Sequence, residues 1–97
     1  MKREGISMAS NFKILIHRNS DNLHFKLVGD FDGNSAHQLL NLLDKNSLVA
    51  SKIFIHTSCV GSIAPFGRSV FRDNIHLLKG KPAHLLFTGE RASELSS

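Results

Sequence analysis

The sequence has few of the residues that mark several protein classes. Its 97 residues include one cysteine, Cys59, so no internal disulfide can form, and nine prolines and glycines together, too few for a low-complexity chain. Tryptophan and tyrosine are absent, but seven phenylalanines supply large apolar side chains for a core. No apolar run approaches the roughly 18 residues that span a bilayer. No charged-then-apolar leader ends at a small-residue cleavage site. We therefore expect a single folded, cytoplasmic domain without membrane insertion.

The charge balance is basic but modest. Twelve Lys and Arg residues against eight Asp and Glu residues give a net charge of +4 and a pI near 9.7. This balance attracts polyanions weakly and does not amount to a dense basic stripe. No aromatic residues interleave with the cations that a nucleic-acid-binding protein would use, which are Lys2, Arg3, Arg68, Arg72, Lys79 and Lys81. Weak nucleic-acid binding is thus an alternative function that the sequence disfavours.

The first part of the chain predicts a leader followed by a hairpin. Residues 1–11 show no apolar period, so we expect a flexible leader before a single domain that spans 12–97. Apolar and polar residues alternate over 12–17, as in a half-buried strand. Turn formers occupy 18–22, and the alternation resumes over 23–28. These two strands should pair as an antiparallel hairpin.

Two helices and two further strands are predicted after the hairpin. Ser35 and Gln38 have the spacing of a capping box, so a helix should begin at Ser35. Its apolar stripe consists of Ala36, Leu39, Leu40 and Leu43. The apolar run 52–56 predicts a strand covered on both faces and parallel to its neighbours, followed by a loop over 57–62. A second helix should begin near Pro65 and end near Gly80. A second buried strand over 83–88 and at most one further helical turn complete the chain.

The predicted order is β-β-α-β-α-β. An antiparallel hairpin that leads through right-handed crossovers into two parallel strands gives an α/β fold with a mixed four-stranded sheet and two main helices. Both helices can cover the same face of the sheet. The other face, or an uncovered edge strand, then needs a cover, because exposed apolar sheet surface favours association. The pattern therefore predicts a protein partner or a homodimer.

Two turns of this chain resemble those of the STAS domain family, the fold of bacterial anti-sigma factor antagonists. In that family the second strand ends in a Gly-x-hydrophobic-Asp turn, and residues 29–32 here are Gly-Asp-Phe-Asp, followed by Ser35 and Ala36. The family's other landmark, after the central strand, is Asp-Ser-Ser/Thr-Gly, which carries the serine that a partner kinase phosphorylates. Residues 64–67 here are Ala-Pro-Phe-Gly, so only Gly67 is kept.

The resemblance covers roughly residues 12–88 and implies a binding module without catalytic activity or a cofactor. Because neither Pro65 nor Phe66 can accept a phosphoryl group, binding should be constitutive and not gated by phosphorylation. Displaced acceptors remain at Thr57, Ser58 and Ser62. Family members usually continue with another helix, a fifth strand and a final helix, so this chain resembles a compact or divergent STAS-like domain.

The six histidines and Cys59 raise the question of metal binding or catalysis. The histidines form no His-x-x-x-His pair and no pairing with Cys59 at zinc-ligand spacing, so no metal site is predicted. His56 and His84 occupy strand positions that could lie side by side. A thiolate–imidazole pair of Cys59 and His56 is conceivable, but no oxyanion-hole motif or orienting acid accompanies it. We therefore predict that the protein is not an enzyme.

The candidate binding residues lie in two loops that should meet at one edge of the sheet. Asp30 and Asp32 follow one parallel strand and residues 62–68 follow the next, so both loops emerge at the carboxyl edge, where open α/β folds bind ligands. Arg68 and Arg72 lie near a helix N-terminus, where the helix dipole disfavours cations. Either one of the two aspartates or an acidic partner pairs with these arginines, or they are solvated. The predicted partner-binding residues are Asp30, Asp32, Asn34, Ser35, Ser62, Pro65, Phe66, Gly67, Arg68 and Arg72.

Phe66 has two interpretations. Beside a proline at a helix start, an aromatic side chain can cap the core as a hydrophobic staple, or it can project as a docking residue where STAS relatives present a hydroxyl. The function that follows is a non-catalytic, STAS-like protein-binding module in bacterial regulation. Its partner would be a regulatory kinase, an anti-sigma-type protein or another STAS-like chain. A further alternative implied by the resemblance is an accessory subunit of a membrane transport ATPase.

Overall fold

The computed structural model describes residues 11–76 and 84–96, which form a mixed four-stranded sheet and three helices. In chain order the elements are β1 (Lys13–Asn19), β2 (Asn22–Phe31), α1 (Gly33–Asn46), β3 (Lys52–Ile63), α2 (Pro65–Ile75), β4 (His84–Thr88) and α3 (Ala92–Ser96). The sheet order is β1-β2-β3-β4, with β1 antiparallel to β2 and β3 parallel to both of its neighbours. The predicted α/β class, the hairpin and the order of elements are confirmed. Residues 1–10 of the predicted leader 1–11 and the predicted helix stop near Gly80 lie outside the described residues.

The helices cover one face of the sheet, and the core lies between them and that face. The central strands contribute Leu23, Phe25, Leu27, Ile53 and Ile55, which are almost completely buried. The predicted stripe of α1 packs onto them, with Ala36, Leu39 and Leu43 buried and Leu40 partly buried. Phe71 of α2 and Leu95 of α3 close the same core. Burying a large apolar side chain contributes about 1.5–3 kcal/mol, so these residues supply most of the driving force for folding.

The opposite face of the sheet, which we call the open face, carries none of the helices in the described part of the chain. Its strand positions include Lys13, Leu15, His17, His24, Lys26, Val28, Lys52, Phe54, His56, His84, Leu86 and Thr88, all of which are exposed or half-buried. The prediction that β3 is covered on both faces is wrong, because Phe54 and His56 alternate with the buried Ile53 and Ile55. The same holds for β4, which is an edge strand with no fully buried residue.

Strand β3 is also longer than predicted. Residues 57–62, expected as a loop, continue the strand to Ile63. The reason is a backbone partner: β2 extends to Phe31, and Gly29 and Phe31 pair with Val60 and Ile63 after register shifts. Such bulges interrupt the alternation of apolar and polar residues, so a periodicity argument stops at the first one. Among the described residues, no helix is long and apolar enough to cross a membrane.

Candidate functional site

Asp32 is the N-cap of α1, and its carboxylate serves the helix start. The Ser35 N–H donates to Asp32 Oδ1 at 2.9 Å, which satisfies one of the backbone donors that a helix leaves unpaired in its first turn. The Ser35 hydroxyl lies 3.0 Å from the same oxygen and 3.0 Å from the backbone oxygen of Asp30. The prediction that the helix begins at Ser35 with a hydroxyl cap is therefore wrong, since it begins at Gly33 and Ser35 occupies the third helical position.

Asp30 joins the end of β2 to β3 and to the start of β1. Its Oδ1 accepts hydrogen bonds from the Ser62 hydroxyl at 3.0 Å and the Ser62 N–H at 3.2 Å, and its Oδ2 accepts one from the Asn11 amide at 3.2 Å. The bond from Asn11 and then the bond from the Ser62 hydroxyl lower the pKa of Asp30, because they stabilise the charged carboxylate. The ends of β2 and β3, where the sequence predicted two loops, therefore do meet at the carboxyl edge of the sheet.

Two glycines bring the start of α2 against the start of α1. Gly67 is buried, and a Cβ at this position would lie 2.6–2.8 Å from backbone atoms of Asp32, so only glycine allows this approach. On the other side of the junction, a Cβ at Gly33 would lie 2.9 Å from the ring of Phe66. The Phe66 ring thus rests over Gly33 and not in the core. It is 71% exposed, so the hydrophobic-staple interpretation is wrong.

Arg68 and Arg72 do not pair with the aspartates. Within residues 11–76 and 84–96 the structure contains no ion pair between either arginine and Asp30 or Asp32. The Asp30 carboxylate accepts hydrogen bonds from Ser62, and the Asp32 carboxylate accepts one from the Ser35 N–H. The expected internal pairing is therefore contradicted, and an acidic partner or solvent remains. Arg72 also borders a depression of about 310 Å³ between α2 and α3, which Asp73 and Leu95 help to line.

The ten predicted binding residues thus divide into two groups. Asp32, Ser35 and Gly67 are half-buried or buried and hold the two helix starts together, and Asp30 and Ser62 bind one another at the edge of the sheet. The remaining residues are exposed or half-buried, and their side chains form no hydrogen bond or ion pair with the described part of the chain. We call them the junction surface: Asn34, Pro65, Phe66, Arg68 and Arg72.

The displaced phospho-acceptors differ in access. Thr57 is 1% exposed, and its hydroxyl donates to the backbone oxygen of Thr88 at 2.7 Å, so it is closed to a kinase. Ser62 is exposed, but its hydroxyl donates to the Asp30 carboxylate, which would repel a phosphate. Ser58 is exposed on β3. None of the three occupies the N-terminus of α2, where Ala64 is the cap residue and makes no side-chain hydrogen bond.

The open face carries a histidine cluster that the sequence pattern does not predict. His24 Nδ1 lies 2.9 Å from His56 Nε2, and His56 Nδ1 lies 2.6 Å from the hydroxyl of Thr88, so the chain of hydrogen bonds joins three strands. Partial burial, and then the charges of His24 and Lys26, lower the pKa of His56. The register of β3 with β2 and β4 creates this cluster, and no local motif could have revealed it.

Two expectations for these histidines are settled by the same contacts. His56 does not lie beside His84, because His84 is opposite Lys52 and His56 is opposite Thr88. Both ring nitrogens of His56 are engaged by His24 and Thr88, so His56 and Cys59 form no nucleophile pair. In the described part of the chain, no group of three or more His, Cys, Asp or Glu side chains could hold a metal ion.

The comparisons with known proteins concern the fold. No family model matches the chain, and no curated protein matches it. Among solved structures, Mglu superposes with a TM-score of 0.68 and 18% identity over 79% of this chain, which spans only 20% of the Mglu chain. A structure of Mglu in 4.3 M NaCl superposes with a TM-score of 0.70 and 11% identity, covering 91% of this chain and 28% of the Mglu chain.

Two smaller proteins match over most of their own length. The anti-sigma factor antagonist SpoIIAA in its unphosphorylated form has a TM-score of 0.57 and 10% identity, covering 78% of this chain and 70% of SpoIIAA. An uncharacterised protein of the DUF3478 family from Shewanella loihica PV-4, with a SpoIIAA-like fold, has a TM-score of 0.55 and 17% identity over 94% and 97% of the two chains. The chain therefore has a STAS-like fold, the fold of SpoIIAA.

Proposed function

We propose that this chain is a non-catalytic protein-binding module that docks on its partner through the junction surface. The observation that carries the proposal is Phe66, whose ring is 71% exposed and lies over Gly33 where the two helix starts meet. Large aromatic side chains and arginines supply most of the binding energy at protein interfaces. Here both occur on α2, with Phe66 and Arg68 in its first turn and Arg72 in its last turn.

The chemistry of the junction surface selects the kind of partner. Two arginines that form no ion pair within residues 11–76 and 84–96 favour an acidic surface, and Phe66 requires an apolar pocket in it. The likeness to the anti-sigma factor antagonist SpoIIAA supports a partner among regulatory kinases, anti-sigma-type proteins or other STAS-like chains of bacteria. Because residues 64–67 offer no hydroxyl, the interaction is constitutive and no phosphate gates it at this position.

The test is a capture experiment with a matched control. The tagged protein, the double variant Phe66→Asp/Arg68→Glu and the control Leu48→Asp are each exposed to lysate of the source organism, and retained proteins are identified by mass spectrometry. Leu48 is 70% exposed and lies just before β3, at the opposite edge of the sheet from Phe66, so its variant also adds a charge to an exposed apolar side chain.

The expected result is a discrete protein retained by the wild type and by the Leu48 variant and lost from the double variant. In a titration with that purified partner, Phe66→Asp should weaken binding by about 2 kcal/mol or more, roughly thirtyfold. Because Phe66 is exposed, the melting temperature should change little. Identical sets on all three baits, or a double variant that unfolds, would contradict docking through the junction surface.

A further inference from the structure

The open face places aromatic rings in a parallel arrangement. The rings of His24 and Phe54 have centroids 4.7 Å apart and planes 6° apart, and those of His24 and His56 have centroids 5.1 Å apart and planes 1° apart. His17 of β1 lies 6.3 Å from His24 and extends the group to a third strand. The three parallel rings of His24, Phe54 and His56, with the His17 ring tilted by 52° beside them, form a surface on which further flat rings can stack.

The charged strand positions around these rings are all lysines, and Asp21 and Asp30 lie outside them at the two edges of the sheet. Lys13, Lys26 and Lys52 are exposed on the open face, and none of its described strand positions between the two edges of the sheet carries Asp or Glu. Asp30 lies beyond them at the carboxyl edge, where Asn11 and Ser62 bind it. An occupant must therefore be anionic as well as flat. A second copy of the chain would place lysines against lysines, which disfavours a dimer through this face.

We propose that the open face binds single-stranded RNA, with bases stacking on the His24, Phe54 and His56 rings and phosphates contacting the lysines. An open four-stranded sheet with aromatic side chains has room for about two or three bases. Stacking is worth about tenfold or more in affinity per base, and it tolerates any sequence because every base has a π face. The exposed imidazoles of His17 and His84 can bond a ribose 2′-hydroxyl, which favours RNA over DNA.

This site is separate from the junction surface, and no pattern of neighbouring residues in the sequence predicts it. Aromatic residues do not alternate with cations along the sequence, yet β2 and β3 bring His24 and Phe54 into register beside Lys26. The two surfaces also lie on opposite layers, since the open face belongs to the uncovered side of the sheet and Arg72 to a helix on the covered side. Substitutions can thus test them independently.

The experiment measures fluorescence anisotropy of a labelled single-stranded RNA of about 12 nucleotides and mixed sequence, titrated with the full chain. The variants are Phe54→Val, which keeps a strand-forming residue, and Lys26→Glu. The matched control is Lys45→Glu, which makes the same change of charge on α1, in the helical layer. We expect Phe54→Val to weaken binding about tenfold or more, and Lys45→Glu to change it less than about threefold.

The dependence on salt gives a second readout. If three lysines neutralise phosphates, the slope of log K against log salt should be about −2, so affinity falls about twentyfold between about 50 and about 200 mM salt. Lys26→Glu should make the slope shallower by about 0.7. Chemical-shift mapping on the wild-type protein checks the same face without a substitution, and the largest changes are expected at His24, Phe54 and His56.

Several results would overturn the proposal. They are the absence of binding at low salt, equal affinity for duplex RNA or for DNA of the same sequence, and equal loss in the Phe54 and Lys45 variants. Displacement of the RNA by a polyglutamate peptide at equal charge concentration would also overturn the proposal, because the open face would then recognise negative charge and not the bases. Loss of the protein partner with Arg72→Glu and not with Phe54→Val would support the junction surface, whatever the outcome with RNA.

Discussion

Replacement of Asp32 by alanine should destabilise the domain through the start of α1. The Asp32 carboxylate accepts the Ser35 N–H at 2.9 Å, and Ser35 is completely buried, so water cannot take over this bond. Loss of an aspartate cap costs about 0.5–2 kcal/mol, and a buried donor left without an acceptor costs about 1–3 kcal/mol. These two figures describe the same bond, so we expect the free energy of unfolding to fall by about 2 kcal/mol.

The assay is urea and thermal denaturation followed by circular dichroism at neutral pH. For a domain of this size, about 2 kcal/mol corresponds to a melting temperature lower by about 8–16 °C. Asp32→Asn keeps an oxygen acceptor and should lose less than about 0.5 kcal/mol. Asp73→Ala, which removes an exposed carboxylate from the body of α2, is the matched control and should also change stability by less than about 0.5 kcal/mol.

The reasoning is refuted if Asp32→Ala unfolds within error of the wild type, or if the asparagine variant is as unstable as the alanine variant. The second result would mean that the negative charge at Asp32 matters and the hydrogen bond does not. Binding to the partner offers a further check on the division of the candidate residues. If Asp32 only caps α1, the Asp32→Asn variant should bind the partner with unchanged affinity. If Asp32 contacts the partner, this variant should bind it more weakly.

Two other predictions concern the helix junction and the histidine cluster. Gly67→Ala should destabilise the domain by about 1–3 kcal/mol, because its Cβ would lie 2.6–2.8 Å from backbone atoms of Asp32. The same denaturation assay measures this loss. The control Ser69→Ala, on the exposed side of α2, should leave the stability unchanged. The folded state lowers the pKa of His56 below 6.5, so it binds fewer protons than the unfolded chain. The free energy of unfolding should therefore decrease as the pH falls through 6.5, and His56→Gln should lose part of this dependence. A steeper loss of stability at acid pH in His56→Gln than in the wild type would contradict the assigned direction.

Most of the fold could be predicted because its signals are local. The stripe from Ala36 to Leu43 specifies which side of α1 is buried, and the apolar run at 52–56 marks a central strand whatever its neighbours are. Pro65 marks the first turn of α2 by its missing N–H. The turn at residues 29–32 and Gly67 carried the resemblance to the STAS family, and the structure supports the fold that it implied.

The remaining features depend on contacts between distant residues. Both Asp32 and Ser35 are good caps by residue type, and the burial of Ser35 against the end of β2 decided between them. Whether Phe66 enters the core depended on Gly33, which lies 33 positions earlier in the chain and leaves room for the ring at the surface. The hydrogen bond between His24 and His56 spans 32 positions and arises only from the strand register. Sequence by itself determined the elements and their order, because the periodicity that specifies a helix or a strand acts over a few residues. Tertiary structure decided which polar and aromatic side chains meet, because the sheet brings together residues that no local pattern connects.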